Sequence, residues 1–198
     1  VFDYNAMAQD LVDYCNGNSF EKVDVIGHSM GGKAAMFFAV QHPEMVNKLV
    51  VGDIGPKYYK PHHQDIMAGL NAVDFTAKPG RNDVEAILSK YITDAGTRQF
   101  LMKSLYWVEP GQLGFRFNLK AFNENIDNIG TALPEGSHYK GPVLFLRGER
   151  SNYIKDEDFD LIKLHFPNAA IKDIENSGHW LHADNPKEFL KQTLEFLQ

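Results

Sequence analysis

The chain has 198 residues, of which 43% are hydrophobic and 23% charged, and its formal net charge is −6. This composition excludes a disordered or collagen-like protein, and the length is enough to bury one substantial core. The acidic balance argues against nucleic acid as a partner, because phosphate binding needs a basic surface. The single cysteine, Cys15, cannot form an internal disulfide, and no apolar run is long enough for a membrane span. We therefore expect a soluble, cytoplasmic protein.

Hydrophobic periodicity predicts an alternation of helices and strands at both ends of the chain. The predicted elements are a helix over 5–16 with Cys15 in its core stripe, a strand over 22–27, a helix over 33–41, a strand over 49–53, a strand over 143–146, a helix over 156–165, a strand over 169–174 and a helix over 186–197. Strand, helix and strand within about thirty residues form a βαβ unit, which implies a parallel sheet. The first strand reads as fully buried, and the last helix is expected to bury Phe189, Leu190, Leu194 and Leu197.

The middle of the chain has a different character. Helical patterns over 66–73 and 83–91 are separated by Pro-Gly pairs and accompanied by many aromatic residues, and no strand is predicted there. We expect an α/β core over residues 1–53 and 140–198, with a helical cap inserted over 54–139. His62 and His63 are adjacent and point in different directions, so they make a poor metal pair and are expected on the solvated surface of the cap.

The motif that indicates chemistry is Gly-His-Ser-Met-Gly over residues 27–31, between a predicted strand and a predicted buried helix. A serine in such a strand-to-helix turn is held exposed as a nucleophile, and small glycine neighbours let the turn close. The helix N-terminus adds a partial positive charge where an oxyanion would form. We predict Ser29 as the nucleophile and the Met30 N–H as an oxyanion donor; the alternative is a glycine-rich turn with an incidental serine.

A serine nucleophile needs a base and an acid. His179 follows the last predicted strand, so we expect it at the same carboxyl edge of the sheet as Ser29, and His182 is the second candidate base. Asp53 ends the strand that follows the nucleophile strand and could reach the far nitrogen of His179. Glu149 is the alternative acid, and Asp53 could instead merely cap the end of its strand.

The strings GHSMGGK over 27–33, DIGP over 53–56 and GHWLHA over 178–183 resemble the α/β-hydrolase superfamily. Within it they are similar to the small YbfF-type bacterial esterases and the related mitochondrial abhydrolase-domain proteins. The resemblance covers nearly the whole chain. It implies a mainly parallel sheet with helices on both faces and an inserted cap. It also implies a carboxylesterase-type hydrolase with a Ser-His-Asp triad and neither metal nor cofactor. In most proteins of this fold the acid follows the strand after the cap, where this sequence has Ser151, which agrees with an acid at Asp53.

The expected substrate is a small-molecule ester with a small to medium acyl chain, because the insertion is rich in aromatic residues. Four side chains are expected to contact it, namely His28, Trp180, Tyr106 and Trp107. A thioesterase or lactonase of the same fold is an alternative, and so is a non-catalytic binding protein on a hydrolase scaffold.

The front of the chain departs from this family. Its members have strands before the nucleophile strand and a His-Gly-rich loop that supplies a second oxyanion N–H, and the sequence from Val1 contains neither. Without those strands the nucleophile strand would be a sheet edge, although its apolar run is typical of a fully buried strand. We expect this sequence to be part of a longer protein whose preceding segment holds the second donor, and a targeting segment could lie there too.

Overall fold

A computed structural model describes residues 2–60 and 64–198, so His62 and His63 lie outside the described residues. The chain divides into two compact units, the first formed by Val1–Tyr59 and Asn128–Gln198 and the second by Lys60–Asp127. The second unit is shorter at both ends than the insertion expected over 54–139. The reason is that the flanking segments bond within the first unit: the Leu133 N–H donates to the Pro56 carbonyl at 2.8 Å, and the Tyr59 N–H donates to the Gly130 carbonyl at 2.8 Å.

The helices and strands follow the predicted alternation at both ends of the chain. In chain order they are α1 (Tyr4–Gly17), β1 (Val23–His28), α2 (Met30–Gln41), β2 (Val46–Gly52), α3 (Gln64–Asn71), α4 (Arg81–Leu88), α5 (Ala95–Lys103), β3 (Leu105–Glu109), β4 (Gln112–Phe115), α6 (Leu119–Asn125), β5 (Val143–Gly148), α7 (Phe159–His165), β6 (Ala169–Ile174), α8 (Leu181–Asp184) and α9 (Pro186–Leu197). The helix predicted over 156–165 begins as a 3₁₀ turn over Asp156–Asp158, and α8 lies between the strand predicted over 169–174 and the helix predicted over 186–197, where no element was predicted.

The first unit contains a parallel sheet with the strand order β1-β2-β5-β6. The register pairs His28 with Gly52, Gly52 with Leu146, and Gly148 with Ile174. The carboxyl ends of neighbouring strands therefore lie along one edge of the sheet. In parallel α/β sheets this is the edge where sites form.

Helices cover both faces of this sheet, because side chains along a strand point alternately to opposite sides. Leu49 and Val51 pack in a core with α1 and α2, whereas Val50 between them packs with Leu181 of α8 and with the apolar side of α9. α2 is buried over the run Ala34–Ala39 because it lies between α1 and the sheet, and Cys15 of α1 is buried as predicted.

β1 is the edge strand of the described sheet, as expected for this strand without others before it, and Ile26 on it is 52% exposed although the apolar run is typical of a buried strand. One burial prediction is wrong. In α9, Leu190 and Leu194 are exposed, while Phe189, Phe196 and Leu197 pack on the core. The buried stripe of α9 passes instead through Gln192 and Thr193, and the Gln192 side chain donates to the Asp173 carbonyl at 3.2 Å.

The second unit has its own core, formed by Leu70, Val84, Leu88, Leu101 and Leu105 together with flanking aromatic rings. It is not purely helical, because β3 and β4 form an antiparallel hairpin that the sequence did not predict. The Pro-Gly pair at 110–111 was interpreted as a helix breaker, but it forms the hairpin turn, with Gly111 at a φ of 81°. Within residues 2–60 and 64–198, no helix has the length and apolarity needed to cross a bilayer.

Candidate active site

Ser29 lies in the sharp turn that joins β1 to α2. Its φ of 54° and ψ of −122° are a strained combination for a non-glycine residue. Two backbone hydrogen bonds hold it: the Ser29 N–H donates to the Gly52 carbonyl at 2.8 Å, and the Lys33 N–H donates to the Ser29 carbonyl at 3.0 Å. This is the strand-to-helix turn expected from the motif, and its serine is partly exposed.

Close packing explains two of the glycines around this turn. A Cβ at Gly27 would lie 2.4 Å from the Gly31 carbonyl oxygen, and one at Gly32 would lie 2.8 Å from a methyl group of Ile54. Among the described residues, nothing lies within 4 Å of a Cβ placed on Gly31. The close approach of strand and helix therefore requires Gly27 and Gly32, whereas Gly31 is not under this steric constraint.

Met30 is the first residue of α2, so its N–H belongs to the helix turn whose amides have no acceptor within the helix. The partial positive charge at the N-terminus of this 12-residue helix also lies beside Ser29. An anionic oxygen that forms beside Ser29 would meet both.

His179 comes five residues after the end of β6 and contacts two residues that are distant in sequence. Its Nε2 lies 2.9 Å from Ser29 Oγ, and its Nδ1 lies 2.8 Å from Asp53 Oδ2. The side chain is 20% exposed, and the Tyr153 ring stacks on the imidazole with the ring centroids 4.0 Å apart. Since a carboxylate can only accept, Nδ1 donates to Asp53 and Nε2 accepts the Ser29 hydroxyl proton.

Asp53 follows β2 directly, and its side chain is completely buried. Three donors surround the carboxylate: the Gly148 N–H at 3.1 Å, the His179 ring, and the Ser151 hydroxyl. The Ser151 hydroxyl oxygen in turn accepts from the Tyr153 N–H at 3.2 Å. This leaves the Ser151 hydroxyl proton to be donated to Asp53. A buried carboxylate with this many donors is held in one position and can orient an imidazole.

The other candidates for base and acid lie elsewhere. Glu149 is exposed, and its carboxylate accepts from the Asn176 N–H at 2.7 Å. His182 is exposed as well, and its ring centroid is 4.8 Å from that of His28. The structure thus brings Ser29, Asp53 and His179 together and leaves Glu149 and His182 out of this arrangement.

The residues expected to contact substrate are divided between the two units. His28 Nε2 lies 2.7 Å from the His179 carbonyl oxygen, and the Trp180 ring centroid is 5.6 Å from that of His179. Tyr106 and Trp107 belong to β3 in the second unit, where Trp107 is 61% exposed. The Arg116 guanidinium lies 5.1 Å from the centre of the Tyr106 ring.

The contacts of Tyr153 and Lys33 were not foreseen from the sequence. Lys33 is 1% exposed, and its Nζ donates to the Lys57 carbonyl at 2.6 Å and to the Thr131 carbonyl at 3.1 Å. Burial, with the neighbouring positive charge of Lys57 as a smaller cause, lowers the pKa of Lys33 to about 7. The nearly all-apolar pattern of α2 was the available signal that Lys33 would be buried with its neighbours.

In the part of the chain that the structure describes, no three His, Cys, Asp or Glu side chains are grouped so that they could hold a metal ion.

Comparison with known proteins gives consistent results. A model of the alpha/beta hydrolase family matches residues 1–192. The chain is 36% identical to mouse "sn-1-specific diacylglycerol lipase ABHD11", over 98% of this chain and 65% of that protein, so it spans about two thirds of the relative's length. It is 34% identical to Escherichia coli "Esterase YbfF", over the whole of this chain and 76% of that protein.

Among solved structures, a "Marine microorganism esterase" superposes with a TM-score of 0.93 at 40% sequence identity, covering 99% of this chain and 78% of that one. These matches confirm the resemblance inferred from the three sequence strings and the expected fold.

Proposed function

The chain belongs to the α/β hydrolase family, and from that premise we propose that it is a serine hydrolase that cleaves carboxylic esters through an acyl-enzyme. The observation that supports this most directly is the position of one imidazole, with its two nitrogens 2.9 Å from Ser29 Oγ and 2.8 Å from Asp53 Oδ2. A nucleophile in contact with a base, and a base oriented by a third group, is the geometry that activated serines need.

In the first half of the proposed reaction, Ser29 Oγ attacks the ester carbonyl carbon while His179 Nε2 takes the hydroxyl proton. The carbonyl oxygen becomes an oxyanion, which accepts from the Met30 N–H at the start of α2. When the tetrahedral intermediate collapses, the bond to the alcohol oxygen breaks, and His179 gives its proton to the departing alcohol.

In the second half, a water molecule replaces the alcohol. The water oxygen attacks the acyl carbon while His179 Nε2 takes a proton from the water. When the bond between the acyl carbon and Ser29 Oγ breaks, His179 gives that proton to Ser29 Oγ and the acid product leaves. Asp53 stays a carboxylate throughout, keeping Nδ1 protonated and stabilising the imidazolium that forms twice in each turnover.

The relatives support the choice of ester substrates. The mouse protein is named a diacylglycerol lipase, and the E. coli protein and the structural neighbour are named esterases. We extend the proposal to small to medium acyl chains, on the aromatic content of the insertion.

The decisive experiment is intact-mass spectrometry after exposure to a fluorophosphonate, on this chain and on Ser29→Ala. We expect one adduct on the parent chain and none on the variant, since only an activated serine reacts at an appreciable rate. A series of esters with increasing acyl length then tests the proposed substrate size. A folded chain without an adduct, or an adduct that persists in Ser29→Ala, would contradict the proposal, and ligand binding without hydrolysis would favour a binding protein.

A further inference from the structure

His28 is the last residue of β1 and directly precedes Ser29, and its side chain makes a contact that the reaction above does not use. Its Nε2 lies 2.7 Å from the carbonyl oxygen of His179. A carbonyl oxygen can only accept, so His28 Nε2 must be the protonated nitrogen of the ring. Burial is the main reason that the pKa of His28 is lowered to about 4, which leaves the ring neutral at ordinary pH. The neutral ring therefore has its proton on Nε2 and a lone pair on Nδ1.

Neighbouring groups hold the His28 ring in this orientation. The ring centroids of His179 and His182 are each 4.8 Å away, and that of Trp180 is 5.5 Å away. Gly52 at the end of β2 packs closely against the His28 ring: a Cβ placed on Gly52 would lie 3.3 Å from His28 Cδ2. The ring is thus packed between the end of β2 and the segment that follows β6.

The loop that carries His179 is also held at two places away from Ser29. It is attached at the β5 end, where the Arg150 N–H donates to the Ser177 carbonyl at 2.9 Å, and at α8, where Asp184 accepts from the Gly178 N–H at 2.8 Å. The His28 hydrogen bond instead connects the His179 backbone to the residue adjacent to Ser29.

We propose that His28 is a positioning residue, which fixes the main chain of His179 relative to Ser29 by donating its Nε2–H to the His179 carbonyl. This inference rests on the proposed function. Asp53 orients the imidazole from its Nδ1 side, and His28 fixes the backbone from which that imidazole extends. Proton transfer requires close placement of base and nucleophile, and a displacement of about 1 Å costs on the order of 10² in rate.

This role differs from the substrate contact that the sequence suggested for His28. A side chain that binds substrate affects KM, whereas one that positions the base affects the acylation step and kcat. A role limited to folding would affect neither in the protein that remains folded, and it would not depend on a donor at the Nε2 position.

The test compares three variants of His28. His28→Phe keeps an aromatic ring and removes the donor, His28→Gln places an amide N–H near the Nε2 position, and His28→Asn carries the same amide on a shorter side chain. We measure kcat and KM for an ester, and the second-order rate of fluorophosphonate labelling, on the folded fraction of each protein. We expect kcat and the labelling rate to fall about 10²-fold in His28→Phe and in His28→Asn with little change in KM, and to recover at least about tenfold in His28→Gln. Unchanged kcat in His28→Phe, or a change confined to KM, overturns the inference.

A second measurement does not depend on activity or on the folding of a variant. Nitrogen-15 NMR of the histidine rings in the parent chain reports which ring nitrogen is protonated. We expect neutral His28 with its proton on Nε2 at pH 6 and above, as the distance to the His179 carbonyl and the low pKa require. A proton on Nδ1, or a charged ring at that pH, overturns the inference. If the parent chain forms no Ser29-dependent adduct, the proposed function fails, and the NMR result still decides the His28 hydrogen bond.

Discussion

The residue that follows β1 and the residue that follows β2 both have a positive φ, 54° at Ser29 and 49° at Asp53. Each N–H donates to the next strand of the sheet at 2.8 Å, from Ser29 to the Gly52 carbonyl and from Asp53 to the Leu146 carbonyl. The other non-glycine residues with positive φ among those described are exposed, namely Ser19, Lys78 and Asn176.

The two strand ends differ in what surrounds the side chain. Ser29 is partly exposed, at the start of a helix, and its Oγ contacts His179. Asp53 is fully buried, and its carboxylate accepts from three donors. A positive φ at both strand ends therefore leaves the Ser29 hydroxyl accessible at one strand and the Asp53 carboxylate enclosed at the next, and burial and hydrogen bonding distinguish the two. Strain at both ends is tolerated because neighbouring strands fix the backbone.

The largest expected effect comes from removing the charge at the buried end. Asp53→Asn should lower the rate of fluorophosphonate labelling and of ester hydrolysis by about 10⁴-fold, because an amide no longer holds the His179 tautomer that accepts the serine proton. Glu149→Gln is the matched control, since its side chain can still accept from Asn176. Equal losses in both variants, or a loss below about tenfold in Asp53→Asn, would contradict the assigned role of Asp53.

The turn at the exposed end can be broken sterically. Gly27→Ala should lower the free energy of unfolding by about 3 kcal/mol, because the new Cβ would overlap the Gly31 carbonyl. Gly31→Ala is the control: it lies in α2 with open space around its Cα, so stability should stay the same or rise by about 0.5–1 kcal/mol. Urea unfolding of both variants measures the difference in stability. If Gly27→Ala were the more stable variant, the close packing at Gly27 would not restrict the residue at this position.

Lys33 connects the two strand ends, since its N–H donates to the Ser29 carbonyl and its Nζ to the carbonyl of Lys57, beyond Asp53. Its pKa is about 7 in the folded chain and 10.5 ordinarily. Between these pH values the unfolded chain binds a proton that the folded chain does not, so this group makes stability rise with pH. Its contribution to the slope approaches about 1.4 kcal/mol per pH unit.

Lys33→Met removes this contribution. Unfolding free energies measured from pH 7 to 10 should rise less steeply in Lys33→Met than in the parent chain, while the variant should be less stable overall because two backbone carbonyls lose their donor. The same slope in both proteins would mean that Lys33 keeps an ordinary pKa when folded.

The smallest expected effect tests the comparison of the two strand ends directly. Ser29→Gly should raise the free energy of unfolding by about 1 kcal/mol, because glycine adopts this φ without strain. Asp53→Gly also replaces a non-glycine residue at positive φ but leaves the buried Gly148 N–H without its acceptor, so it should be destabilising. If thermal unfolding shows both variants shifting in the same direction, the environments of the two ends do not differ in the way described.

Much of the fold follows from local patterns in the sequence. Three helices were predicted close to their observed bounds: α1 from its apolar stripe, α2 from its nearly all-apolar sequence, and α9, which begins with a proline. The serine turn was predicted as well. The close approach of strand and helix requires a glycine at position 27, and this glycine is part of the sequence motif. Periodicity also predicted the strands after which Ser29, Asp53 and His179 come, and hence the edge of the sheet where they lie.

The rest depended on contacts between residues far apart in the chain. Asp53 and His179 are 126 positions apart, and the choice between Asp53 and Glu149 depended on how β2 and β5 align. The Ser151 hydroxyl on Asp53, the burial of Lys33 and the exposure of Ile26 and Leu190 likewise depend on which element packs against which. Sequence by itself determined most helices and strands of the first unit and their order, because periodicity and turn chemistry act over a few residues. Only the tertiary structure decided which polar groups meet, because that depends on strand register and on packing across the sheet.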